Sequence, residues 1–196
     1  EAEERETVVA ISELIEYYKG IFTTLSSCAS RQLEEVTFRR ATISVPELMA
    51  TAGKYFRKVY KGNKAHIDFK IQPLEGRITG DWNQLRFLLE NLIDEACSVT
   101  LDGAVCLSAR EDGEFIRFLF TDMRREKTRE ELNQLFYPDL SRMTAGEKGE
   151  LYGTEYLVCK QIIRDHDEFA GHRGCRINAE PGKEGGFTIY FTLPKK

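Results

Sequence analysis

No apolar run in this chain approaches the roughly 18 residues of a membrane span, so nothing within it reads as a spanning helix or a signal peptide. The five cysteines (Cys28, Cys97, Cys106, Cys159 and Cys175) are odd in number and show no Cys-x-x-Cys spacing. Three of them sit inside apolar periodic segments, where cysteine behaves as a small hydrophobe. A reducing, cytoplasmic setting follows. Only three histidines occur, His66, His166 and His172. None has metal-ligand spacing with the cysteines, and all three are assigned to surface or turn positions. No nucleophile–base set for hydrolysis is visible. Excess charge of one sign is also missing: 28 Lys and Arg face 32 Asp and Glu, for a net charge of −4. That balance gives no reason to expect nucleic-acid binding. Basic residues cluster at 39–40, 57–64 and 124–129, each with acidic neighbours, and read as solvated faces. The chain opens on Glu1 rather than Met, as a fragment would, and a membrane anchor could precede it.

What is present suffices for one well-cored domain with an appendage, at 196 residues and 41% hydrophobic composition. The most informative stretch is 80–100, GDWNQLRFLLENLIDEACSVT. Asp81 or Asn83 can cap a helix there, and Leu85, Leu88, Leu89, Leu92, Ala96 and Val99 recur at helical spacing. The opposite face carries Glu90, Asn91, Asp94, Glu95 and Ser98, with Asn91 and Glu95 one turn apart and pointing the same way.

Residues 6–36 read as one long helix. Val8, Ile11, Ile15, Tyr18, Phe22, Leu25 and Ala29 form a heptad seam, weakened only at Gly20, at a cost of about 1 kcal/mol against alanine. Val9, Leu14, Tyr17 and Ile21 widen the apolar face beyond a two-stranded seam. Such a face either folds back on its own domain or forms a four-helix bundle between two chains.

Beyond it, 36–44 alternates loosely as a strand. Ser44, Pro46 and Glu47 open a helix that runs to about Tyr60 and stops at Lys61-Gly62-Asn63. Strands are expected at 66–72, 77–79, 104–110 and 114–121, the last two joined by an Asp112-Gly113 hairpin. The polar stretch 122–149 holds one short helix, at about 129–136, and its length suggests a function or mobility. A helix at 155–166 and strands at 175–180 and 187–193 complete the chain. This order fits an α/β two-layer sandwich, a mixed sheet with its helices on one face, preceded by a long helix. Residues 1–36 would be the dimerisation helix and 37–196 the domain.

The pattern GDxxxLxxLLxNLIxxA resembles the N-box helix of sensor histidine kinases and the wider GHKL ATPases, and the likeness extends over about 37–194. Asn91 matches the first asparagine of that family's N-L-x-x-N-A motif, whereas Glu95 stands where the metal-holding asparagine belongs and Ser98 replaces a basic residue. The strand 116–122, IRFLFTD, matches the one whose aspartate receives the adenine amino group, but Met123-Arg124-Arg125-Glu126 follows without the two glycines. Asp122 therefore either faces a base or caps a strand end. LNQLFYPDL at 132–140 resembles the F-box, with Phe136 and Leu140 as lid anchors or as a plain amphipathic helix. Of the second glycine box only Gly153 survives, and Glu155 sets a carboxylate where a triphosphate would approach a helix N-terminus. The closing RINAEPGKEGGFTIYFTLP is similar to the family's last two strands, residues that carry fold more than activity.

The resemblance implies a nucleotide site at Asn91, Asp122 and Gly153 with Glu95 at the metal position. The losses imply a decayed one, with no cofactor and no catalytic residue, closed by Arg124, Arg125 and Glu155 or by pairing across the gap. The module would then signal by association, as a homodimer through its first helix and with an unidentified protein partner, touching neither nucleic acid nor membrane. The alternative is a working kinase that binds ATP and magnesium, since a carboxylate at Glu95 is a good magnesium ligand. No histidine lies on the first helix, so a phosphoacceptor would have to precede Glu1.

Overall fold

The computed structural model describes residues 7, 11, 37–62, 66–137 and 154–196. The chain divides into two compact units, residues 1–36 and 37–196. In the first, Thr7 and Ile11 are helical; the rest of the expected heptad seam lies outside the described residues. So do Gly153, Leu140 and the stretch between Tyr137 and Thr154.

In the second unit β1 (Ala41–Ser44) leads into α1 (Val45–Val59), then β2 (Ile67–Gln72), β3 (Arg77–Gly80) and α2 (Trp82–Cys97). The hairpin β4 (Gly103–Asp112) and β5 (Phe115–Asp122) follows, with α3 (Arg129–Gln134), α4 (Thr154–Phe169), β6 (Ile177–Pro181) and β7 (Phe187–Pro194). The helix starts are where capping chemistry puts them: Ser44 accepts from the Glu47 N–H, and Asp81 accepts from the Gln84 N–H at 3.0 Å. Thr128 and Glu131 form a reciprocal capping box on α3. Only Ala41–Ser44 of the expected strand at 36–44 enters a ladder.

The strands make a five-stranded mixed sheet in the order β2-β4-β5-β7-β6, with β2 and β4 parallel and the other pairs antiparallel. The mixed sheet expected is thus present, and β1 and β3 form a separate antiparallel pair beside it. Among the helices α2 is central, touching both α1 and α4.

Period-two alternation decides which side chains face inward. Along β5, Ile116, Phe118, Phe120 and Asp122 are all buried. Their partners in register on β7 are Leu193, Phe191, Ile189 and Phe187, each fully buried. Phe118 and Phe191 stack at 5.0 Å across the ladder. From α2 the core receives Leu85, Leu88, Leu89, Leu92, Ile93 and Ala96. This is the expected stripe, except that Ile93 joins it and Val99 falls beyond the helix end. Cys106, Cys159 and Cys175 are buried and unbridged. Burial pushes the Cys175 thiol up to about 12 and that of Cys97 up to about 11, which keeps both protonated and unreactive.

His166 departs from the surface or turn role expected of it: it is fully buried. Its Nδ1 lies 2.8 Å from the Ile162 carbonyl and its Nε2 accepts the Asp81 N–H at 3.0 Å, so the Nδ1-protonated neutral ring is the tautomer that fits. Gly80 makes room for it, since a Cβ there would lie 2.9 Å from His166 Nε2. Asp81 in turn accepts the Arg39 N–H at 2.7 Å, tying the segment before β1 to the start of α2.

Candidate functional site

The alternation that buries Phe120 also buries Asp122, two residues on and with no exposed surface. An isolated carboxylate there would be costly, and the chain answers with arginines two and three residues on. Asp122 Oδ1 accepts the Arg124 N–H at 3.0 Å and Arg124 Nε at 2.9 Å; Oδ2 accepts Arg124 Nη2 at 2.7 Å and Arg125 Nε at 2.9 Å. Burial alone would raise this carboxyl. The hydrogen bonds from Arg124, with the charge of Arg125, outweigh it and hold Asp122 below the usual aspartate range.

The Arg124 side chain is 1% exposed. Beyond Asp122 its guanidinium donates to the Ala96 carbonyl at 2.7 Å and the Leu101 carbonyl at 3.0 Å. Ala96 lies in the last turn of α2, whose carbonyls lack helical partners and favour a cation. Gly103 leaves space for the Arg124 stem: at φ +133, a Cβ would meet Arg124 Cγ at 2.8 Å.

Arg125 turns the other way. Its two terminal nitrogens donate to both Glu95 oxygens, at 3.1 and 2.8 Å, a bidentate pair 11% and 16% exposed. Burial would lower the Arg125 guanidinium, but the bond and charge of Glu95 leave it raised. The buried Tyr156 of α4 also hydrogen-bonds Glu95, and burial, with Glu95 beside it, pushes that phenol well up. The result is a closed set of two carboxylates and two guanidiniums between β5, α2 and α4. The cluster at 124–129, read as a solvated face, is corrected at its first two residues: Arg124 and Arg125 point inward because Asp122 and Glu95 are there to receive them.

Of the residues expected at a nucleotide site, Asp122 and Glu95 are thus brought together through Arg125. Asn91 does not join them. It is half-buried, with its Nδ2 donating to the Phe87 carbonyl one turn back on its own helix at 2.8 Å. Gly153, and the side chain of Glu155, are outside the described residues. The reach of Arg124 to the end of α2 was not foreseen. Its signal lay in Gly103, a glycine placed where a side chain would collide. Among the described residues no group of three His, Cys, Asp or Glu could hold a metal ion, and no helix is long and apolar enough to cross a membrane.

Comparison with known proteins bears on the family and the fold. Residues 80–196 match the family model described as histidine kinase-, DNA gyrase B-, and HSP90-like ATPase. Adaptive-response sensory kinase SasA of Thermosynechococcus vestitus is 25% identical over 177 residues, 89% of this chain and 44% of the relative. The chain therefore spans less than half the length of that protein. The nucleotide-free catalytic domain of histidine kinase ThkA superposes with a TM-score of 0.61 at 18% identity, over 80% of this chain and 96% of that one. ThkA in complex with response regulator TrrA gives 0.72 at 18% identity, over 95% of this chain and 50% of that one. At such identities the structural likeness shows the fold alone.

Proposed function

Since the chain belongs to the histidine kinase-, DNA gyrase B- and HSP90-like ATPase family, we propose that it is a member whose nucleotide site is closed by its own side chains. It serves as a signalling module by protein association instead of catalysis. The observation that carries this reading is Arg124. Its guanidinium is buried against both oxygens of Asp122 and held to the Ala96 carbonyl, so the aspartate that the resemblance assigns to a base is already answered. The carboxylate at the metal position is engaged likewise, both Glu95 oxygens being held by Arg125. This donor set does not fit a magnesium nucleotide. Opening it means taking a buried ion pair apart, which costs about 3–5 kcal/mol and would weaken binding by roughly two to three and a half orders of magnitude.

A module without chemistry acts through surfaces. The uncharged seam in residues 6–29 supports pairing of two chains, with residues 37–196 presenting the signalling face. A response regulator, the kind of protein ThkA was solved with, is a partner class for that face. The near-balanced charge and the absence of a coherent basic surface in the sequence argue against nucleic acid.

Titration with magnesium ATP, followed by calorimetry and thermal unfolding, tests the closed site. Ligand at 100 times its dissociation constant would stabilise the fold by about 2.7 kcal/mol, a shift of several degrees. No saturable heat and no shift are expected at millimolar nucleotide. A saturable shift that disappears in Asp122→Asn would overturn the reading.

A further inference from the structure

Away from the Asp122 cluster, a groove of about 550 Å³ runs between α3 and α4 over β6, within the size range of small-ligand sites. None of Asn91, Glu95, Asp122, Arg124 or Arg125 lines it. Its floor is apolar: Leu132, Phe136, Ile163 and Cys175, each at most 8% exposed. Its walls are cationic. Lys160 and Arg164 stand one turn apart on α4, and Arg176 comes from the chain entering β6. Among the described residues neither Arg164 nor Arg176 has an ion-pair partner.

Among the described residues of the lining, the one carboxylate, Asp167, does not neutralise them. Asp167 Oδ1 accepts the N–H groups of Gly174 and Cys175 at 2.6 and 3.0 Å, and its Oδ2 accepts Arg173 Nη1 at 3.0 Å. Lys160 Nζ sits 3.5 Å from the centre of the Tyr137 ring. This holds an aromatic side chain, 59% exposed, at the rim. Apolar floor, aromatic rim and unpaired guanidiniums are the complement of an amphipathic anion. Apolar area supplies the burial, while the planar forks of arginine receive a carboxylate or phosphate.

We propose that this groove is a small-molecule site for an organic anion, a carboxylate or phosphate carried on an aromatic or aliphatic body. It would give the module an input independent of ATP. A peptide strand is a poorer match, because the cations converge on one short stretch instead of running along an edge.

The test uses the whole chain with 3-phenylpropionate, phenyl phosphate and the neutral 3-phenylpropanol, followed by calorimetry and by amide chemical shifts. Saturable binding of at least one anion is expected, with shifts centred on α3, α4 and β6 and the alcohol about tenfold weaker or worse. Arg164→Gln with Arg176→Gln should cost at least about tenfold in anion affinity. The melting temperature should not move, because both side chains are exposed. No saturable binding of either anion at millimolar concentration overturns the proposal. Equal binding of the alcohol, an unaltered affinity in the double variant, or binding only of acidic peptides would also do so. The ATP titration is read separately, because a nucleotide bound in the groove would be lost in the double variant and kept in Asp122→Asn.

Discussion

Asp122 keeps its charge in a place without water because four hydrogen bonds converge on it, all from the next three residues. Replacing it with asparagine leaves two guanidiniums facing a neutral amide, one of them almost wholly enclosed. The expected loss is about 3–5 kcal/mol at neutral pH, the range for removing one member of a buried pair, read from urea unfolding. The pH dependence has a definite sign. The folded carboxyl lies below its ordinary value of 3.8, so the stabilisation is full above that value and is lost as pH falls through the lower folded value. The gap between the native chain and Asp122→Asn should close over that window; a gap unchanged there would rule out the charge as its source. At this scale the sequence was half legible. Two arginines in a stretch that has lost its glycines, at Arg124 and Glu126, led to the expectation of long side chains that fill the space or pair across it. Arg124 and Arg125 do pair with Asp122 and Glu95. His166 was misjudged because its burial depends on Gly80, 86 positions away, and on an N–H of Asp81; nothing local to 166 announces either.

Between elements, α1 and α2 pack directly, and one carboxylate adds a polar tie between them. Asp94, on the polar side of α2, accepts the Tyr55 hydroxyl at 2.8 and 3.0 Å and the Tyr60 hydroxyl at 2.7 Å. Burial, reinforced by Asp94, pushes both phenols well above their ordinary value, so they remain donors. Hydrogen bonds to a charged group contribute about 1.5–3 kcal/mol. Half-exposure and a surviving second hydroxyl should reduce each of Tyr55→Phe and Tyr60→Phe to about 1 kcal/mol. The double variant should lose more than the sum, because Asp94 is then half-buried without a phenol. Additive losses in denaturant would argue that the two phenols act independently. Element type and order were legible here, since caps, period and the Asp-Gly hairpin each have a local cause. Pairing was not: period two assigns a strand its inner face but names no neighbour, and so β1 and β3 leaving the main sheet could not be read from alternation.

For the molecule as a whole, the proposed reading places the output in association, and the first helix is where that is tested. Val8, Ile11, Ile15, Tyr18, Phe22 and Leu25 carry no charge, and an exposed stripe of that size would be unusual for a soluble monomer. Burying each side chain contributes roughly 1.5–3 kcal/mol before entropy. Two copies can therefore outweigh the cost of association even with Gly20 in the middle, which loses about 1 kcal/mol. The rival arrangement folds the stripe back within one chain. Ile15→Glu with Phe22→Glu separates the two. In a dimer seam the charges split the pair and leave residues 37–196 folded, whereas in a monomer core they unfold the chain. Light scattering should give a dimer for the native chain and a monomer for the double variant, whose far-ultraviolet dichroism and cooperative melt persist. A monomeric native chain, or a double variant without a cooperative melt, would remove association through this helix from the account.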